Sequence, residues 1–233
     1  MKGKGFLYLP AQSLVFARIP KCANTSIKTR LSTLIHTKSV RHPHQNRVLE
    51  PTNDLFWKKC TKEARWLKPD QYTALYDRVT SFSVIRDPLR RLHSCYHDKV
   101  LRPEVFPPMK RLGYDRGMTF NDFVELTCTL DVSDMDVHTQ PQTFLIMDSK
   151  GRLPHFIARL ENLDQDWKRL STSMKEKGVN LGGSLPRLNS RKNSSNMTTD
   201  EFSLSADTQP EYELTYGADI KLFETLSRNH AER

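Results

Sequence analysis

The sequence predicts an α/β protein with a central, mainly parallel sheet flanked by helices. Two observations carry that expectation. Short apolar runs suited to buried strands alternate with segments whose apolar residues recur at helical spacing. The same strand–loop–helix order also appears twice, at residues 14–31 (LVFARIPKCANTSIKTRL) and 80–100 (TSFSVIRDPLRRLHSCYHDKV). A length of 233 residues suits one domain, 1–233, with enough chain to bury a core.

The elements follow in order. Residues 14–19 make a strand, and Ile27, Leu31, Leu34 and Ile35 then stripe one helix face at i, i+4, i+7 and i+8. Residues 36–70 are polar and basic, with His36, His42, His44 and two tryptophans, and are expected to form a basic insertion or irregular segment. Strand 80–85 leads to Asp87-Pro88, an N-cap followed by a proline at the first helical position. Leu89, Leu92, Tyr96 and Val100 then face the core. A further helix spans Thr119 to Leu130, with Phe120, Phe123, Val124 and Cys128 on one side. His155 to Ala158 reads as a buried strand, followed by a helix carrying Leu163, Trp167, Leu170 and Met174. Residues 182–208, rich in Gly, Ser, Asn and Thr, are expected to be a flexible loop or lid, and a last helix runs near 210–227.

Composition narrows the function classes. Hydrophobic content of 37% and charged content of 27% suit a globular protein, not a disordered one. The longest apolar runs, such as SLVFA and TFLIM, are too short to span a bilayer, and Met1 leads into no signal-peptide core. The net charge of +9 is concentrated, since residues 1–70 hold 14 Lys and Arg against 4 Asp and Glu. That bias favours an anionic partner, but no zinc-finger spacing, glycine-aromatic motif or basic heptad supports nucleic acid. Cys22, Cys60, Cys95 and Cys128 are scattered, with neither metal-ligand spacing nor a disulfide framework.

The two loops carry groups that hold phosphate. A strand that ends into a helix start gathers free backbone N–H groups and the positive end of the helix dipole. At the first, Lys21 can reach over an anion while Thr25 and Ser26 add hydroxyls. The glycines of a GxxxxGK[ST] loop are missing, which disfavours a nucleotide-dependent kinase of P-loop type. At the second, Arg86 lies at the carboxyl end of a strand, where open α/β sheets bind ligands, and Arg90 and Ser94 share a helix face. Two such loops suit a ligand with two separated phosphate groups.

These residues resemble a family. PKCANTS (20–26) is similar to the 5′-phosphosulfate loop of sulfotransferases, PKxxxTS, and VIRDPLRRLHSCYHDK (84–99) resembles their 3′-phosphate segment, RDPxxRLxSxYxxK. Order and separation resemble the carbohydrate sulfotransferases, relatives of the Golgi enzymes acting on chondroitin and dermatan. DVHTQPQTFLI (136–146) resembles an HxxPQ element, FIARLENLDQDW (156–167) an IxRxENLxxD segment, and LPRLNS (185–190) with YGADIKLF (216–223) the C-terminal close.

The resemblance implies a P-loop-like sulfotransferase fold and 3′-phosphoadenylyl sulfate (PAPS) as co-substrate, with no metal required. It implies a carbohydrate or glycan acceptor, possibly anionic, and no nucleic acid. Arg18, Pro20, Lys21, Cys22, Ala23, Asn24, Thr25 and Ser26 would form the 5′ site, with Lys21 catalytic, and Arg86 and Ser94 would hold the 3′-phosphate. The loop departs from its relatives at Cys22, Ala23 and Asn24, where small or glycine residues are usual. A general base is not announced. His138, which heads the HxxPQ element, is the preferred candidate, Glu161 is the second, and a merely orienting role for His138 and Gln142 stays open. A non-catalytic polyanion-binding relative is the alternative to an enzyme. With no anchor visible, a cytoplasmic, bacterial-type setting is expected, or the Golgi lumen if the chain is a fragment.

Overall fold

The structure is a computed structural model that describes residues 5–186, 188 and 203–231. A five-stranded sheet lies at its centre, in the order β5-β1-β2-β6-β7. The strands are β1 (Phe6–Leu9), β2 (Leu14–Ala17), β5 (Arg65–Leu67), β6 (Thr80–Ile85) and β7 (Phe156–Arg159); β3 (Val40–Arg41) and β4 (Val48–Leu49) form a separate two-stranded ribbon. β2, β6 and β7 pair in parallel, whereas β1 runs antiparallel to both its neighbours. β1 is therefore the one strand of the central sheet that opposes the common direction.

Nine helices surround it among the described residues: α1 (Asn24–Leu31), α2 (Asp54–Lys59), α3 (Pro69–Leu75), α4 (Pro88–Lys99), α5 (Pro107–Arg111), α6 (Phe120–Thr129), α7 (Gln142–Ile146), α8 (Leu163–Glu176) and α9 (Thr208–Ala231). Register shows that both faces of the sheet are covered. Phe6 pairs with Ala17, and Val15 with Ser81, on one face, where Tyr72 of α3 stacks on Phe6 and donates to Ser81 Oγ at 2.6 Å. Phe16 pairs with Phe82 on the other, where Trp167 of α8 packs edge-on. A second apolar cluster joins α4, α6 and α9 through Leu92, Tyr96, Phe123, Tyr212 and Tyr216.

The helix starts follow local chemistry. Asp87 accepts from the Arg90 N–H and Pro88 opens α4, while Thr119 and Asp122 cap α6 reciprocally. The expected first helix is shorter than its apolar stripe. α1 stops at Leu31, where Ser32 and Thr33 hydroxyls bond back to Thr29 and Arg30 carbonyls, and Ile35 reaches the core from extended chain. Residues 36–70 are not irregular throughout, for they contribute the ribbon, α2 and strand β5 of the central sheet. β7, expected to be buried, is an edge strand with Phe156 and Ile157 half-buried. Of the expected loop 182–208, and of the LPRLNS match, residues 187 and 189–202 lie outside the described residues; α9 already begins at Thr208. Among the described residues no helix is long and apolar enough to cross a membrane.

Candidate active site

Both sequence-predicted loops stand at the carboxyl ends of adjacent parallel strands, β2 and β6. In the first, Lys21 (φ 71°) and Ala23 (φ 51°) take the left-handed conformation that glycine adopts most readily. Each such residue costs roughly 1–2 kcal/mol, a strain that the surrounding contacts must hold. The turn leaves Ala23 at the N-cap of α1 with no side chain capping the helix, and Asn24 Oδ1 is buried without a partner. The N-terminal N–H groups of α1 thus face the loop with the dipole behind them. Cys22 is 1% exposed and burial pushes its thiol up to about 12, so it fills the loop and is no nucleophile.

Two buried side chains join the loops. Gln142 accepts from the Arg86 N–H at 3.0 Å and donates to the Arg86 carbonyl at 2.8 Å, and Cys22 Sγ donates to Gln142 Oε1 at 3.4 Å. Arg91, 1% exposed, donates to the carbonyls of Pro20, Gln140 and Val137. One amide therefore spans both loops, and one guanidinium ties α4 to the first loop and to the 137–140 turn. The turn is anchored from α9: Asp219 accepts from the Gln142 and Thr143 N–H groups, and Tyr216 donates to the Thr139 carbonyl at 2.6 Å.

Lys21 meets the last turn of α4. Lys21 Nζ lies 3.1 Å from Asp98 Oδ2, and Lys99 lies 3.2 Å from the same oxygen. Burial works to raise the Asp98 carboxyl, but the two ammonium groups outweigh it and hold it below the usual range. Ser94 and Asp98 are spaced i, i+4, so the Ser94 hydroxyl lies on the face of α4 that Lys21 meets. The Arg86 guanidinium makes no hydrogen bond or ion pair among the described residues, although Gln142 fixes its backbone. Lys99 sits over the Phe106 ring at 4.6 Å, and Phe106 meets His138 edge-on.

His138 is paired with Asp136. Its Nδ1 is 2.6 Å from Asp136 Oδ1, which also accepts the His138 N–H at 2.9 Å. Burial lowers the imidazole below its ordinary value and outweighs the raising effect of Asp136, so the ring is neutral near pH 7. A neutral ring that donates Nδ1–H to Asp136 leaves the Nε2 lone pair as acceptor. Glu161, the other candidate, accepts the Asp87 N–H at 3.0 Å and so braces the start of α4.

The expected site residues are not all gathered together. Arg18, expected with the first loop's anion site, is paired with Asp54, lies over the Trp66 ring and lines a cavity beyond the loop. Ser26 is 6% exposed, and its Oγ accepts from the Leu188 N–H at 3.4 Å. Sequence reasoning assigned no role to Arg91, Lys99, Asp136 or Asp219. Arg91 and Lys99 occupy fixed positions of the RDPxxRLxSxYxxK pattern, which was the available signal. The described residues hold no group of three or more His, Cys, Asp or Glu that could bind a metal ion, and all four cysteines are free.

Comparison with known proteins agrees with the motifs. A family model described as "Sulfotransferase family" matches residues 4–224. Neither the curated proteins nor the solved structures gave a match.

Proposed function

The chain belongs to the sulfotransferase family, and on that premise we propose that it moves a sulfuryl group from PAPS to a hydroxyl of a carbohydrate acceptor. The observation that supports this most is the joining of two cationic loops by Gln142 at the ends of β2 and β6. A donor with phosphate at two ends of one nucleoside needs two anion sites at fixed separation. Lys21 with the open N-terminus of α1 suits the 5′-phosphosulfate, and the Arg86 guanidinium, unpartnered among the described residues, suits the 3′-phosphate with Ser94. A strand–loop–helix anion site without Walker glycines supports reading the fold as P-loop-like.

In the transfer, the acceptor oxygen attacks sulfur in line as the bond from sulfur to the bridging oxygen of the 5′-phosphate breaks. The acceptor proton passes to His138 Nε2, and the products are a sulfate ester and adenosine 3′,5′-bisphosphate. Lys21 meets the charge that grows on the departing oxygen, a type of contact whose loss costs about 10²–10³ in kcat. Asp136 holds the His138 tautomer and steadies the imidazolium that forms. Lys21 must exchange Asp98 for the donor, and Lys99 remains to balance the Asp98 carboxylate. Arg91 and Gln142 keep the loops in register and touch no reacting atom. Calorimetric titration with adenosine 3′,5′-bisphosphate and with ATP tests the donor assignment: the bisphosphate should bind more tightly, and preference for ATP would sink the reading.

A further inference from the structure

His155, just before the edge strand β7, takes no part in the proposed transfer, yet it closes a dense cluster of hydrogen bonds. Its Nδ1 lies 2.7 Å from Ser81 Oγ and accepts the Ser81 N–H at 3.3 Å, while its own N–H donates to Ser81 Oγ at 3.1 Å. Tyr72 of α3 donates to the same Oγ at 2.6 Å. Burial pushes the Tyr72 hydroxyl up to about 12, so it keeps the proton it donates. A serine hydroxyl has one hydrogen to give and two lone pairs to receive. Tyr72 and the His155 N–H fill both lone pairs, which sends the Ser81 hydrogen to Nδ1. Both donors of Ser81 therefore end on one ring nitrogen, and that nitrogen carries no proton.

The place of this cluster gives it leverage. Ser81 is 0% exposed within β6, so a partner lost there is not replaced by solvent. Among the described residues β7 has β6 as its only sheet neighbour. Their pairing begins at Phe82 and Phe156, the residues that follow Ser81 and His155. Beyond the other end of β7, Glu161 accepts the Asp87 N–H at 3.0 Å. His155 thus fastens one end of the strand and Glu161 the other. Yet His155 is itself exposed, and a proton from solvent can reach its ring.

The neighbours of the ring oppose that proton. The imidazole lies on Tyr76 with centroids 4.3 Å apart, and the Arg152 guanidinium meets the Tyr76 ring at 3.8 Å. Lys177, at the end of α8, donates to Thr80 Oγ1 at 2.8 Å beside Ser81. The acids nearby are Asp77, 3.8 Å from Arg152, and Asp148, which also pairs with Arg152. Burial, Lys177 and Arg152 together outweigh Asp77 and hold the imidazole below its ordinary 6.5.

We infer that His155 is a proton-operated latch: neutral, it pins the start of β7 to β6, and protonated, it releases that end of the strand. Protonation turns Nδ1 from acceptor to donor, which leaves the buried N–H and O–H of Ser81 without the atom they share. Because the fold favours the neutral ring, the latch's contribution is complete above pH 6.5 and is lost as pH falls through the lowered value. The inference is independent of the sulfotransferase reading.

The test compares the wild type with His155→Asn, whose Oδ1 is bonded to Cγ as Nδ1 is and accepts a hydrogen bond without titrating. Urea denaturation is measured at about pH 7.5 and about pH 5.5, which bracket the titration of a histidine. The folded-to-unfolded ratio of the wild type should fall roughly five- to tenfold more than that of the variant, the low end for a buried donor left unmatched. Hydrogen-exchange protection at Ser81 and residues 156–158 should fall with it in the wild type, while the β1–β2 pair stays protected. Ring ¹⁵N shifts of the wild type should show Nδ1 without a proton at the higher pH, a readout that needs no variant. Equal pH responses in the two proteins, or a proton on Nδ1 at the higher pH, overturn the latch.

Discussion

Replacing Gln142 by Met removes the joint between the two loops while keeping side-chain volume and the backbone bond to Asp219. Gln142 is 1% exposed, and its amide makes hydrogen bonds of 3.0 and 2.8 Å with the N–H and carbonyl of Arg86. The thioether replaces neither. Each partner left without a hydrogen bond costs about 1–3 kcal/mol. Arg86 is only half-buried, which favours the lower end and gives a loss of about 2–4 kcal/mol for the pair. The weak contact from Cys22 at 3.4 Å adds little. A domain of ordinary stability, about 5–15 kcal/mol, remains folded after such a loss. Urea denaturation should therefore show a lower midpoint with an unchanged m-value. Calorimetry should show adenosine 3′,5′-bisphosphate bound roughly tenfold more weakly, about 1.4 kcal/mol, because Arg86 is no longer fixed against Lys21. A destabilisation below about 0.5 kcal/mol together with unchanged affinity would refute the joint, since a change that small is within ordinary surface effects.

Four further outcomes follow from the same geometry. Lys21→Met should lower kcat for sulfate transfer by about 10²–10³, and an equal rate in single-turnover assays would remove Lys21 from the chemistry. Arg86→Ala should weaken bisphosphate binding by about 1.5–3 kcal/mol, the worth of a hydrogen bond to a charged group, whereas adenosine 5′-phosphosulfate, which lacks the 3′-phosphate, should bind equally to both proteins. His138 must be neutral to accept a proton, and burial lowers its pKa from 6.5. Activity should therefore be full above pH 6.5 and fall as pH drops through a value below it, with the limb abolished in His138→Asn; a limb above pH 6.5 contradicts the assignment. Iodoacetamide at pH 8 should leave Cys22 unlabelled in peptide maps of the folded protein, because the thiol is buried and raised to about 12; rapid labelling would show the loop to be open.

Periodicity made the long elements legible. α4, α6 and α8 each present an apolar face over three or more turns or carry a strong cap, and β6 is a six-residue strand that ends at the Arg86-Asp87-Pro88 helix start. β1 and β5 were not read, because four residues (FLYL) and three (RWL) are too short to show a period. Their absence from the reading also concealed the antiparallel strand β1, whose direction depends on pairing and not on local pattern. The positions of Lys21, Arg86 and Ser94 were legible because each sits after a strand end or on a helix face whose geometry is local. Arg91 was not, since a guanidinium in the first turn of a basic helix looks like a solvated charge until its three carbonyl partners, 46 to 71 positions away, are known. Asp136 stood two residues before His138, close enough to be suspected, but its bond to Nδ1 depends on the turn that Tyr216 and Asp219 anchor. Adjacency to the first loop suggested the donor for Arg18, while its pairing with Asp54 and its place over Trp66 depend on α2 and β5, which the local pattern does not show.

Sulfate transfer itself is the most direct test. With labelled PAPS and a panel of oligosaccharides, the wild type should form sulfated glycan and adenosine 3′,5′-bisphosphate in equal amounts with at least one of them, while Lys21→Met and His138→Asn should form little of either. Binding of the bisphosphate with no sulfated product from any glycan, or release of bisphosphate at the same rate in Lys21→Met, would contradict the account.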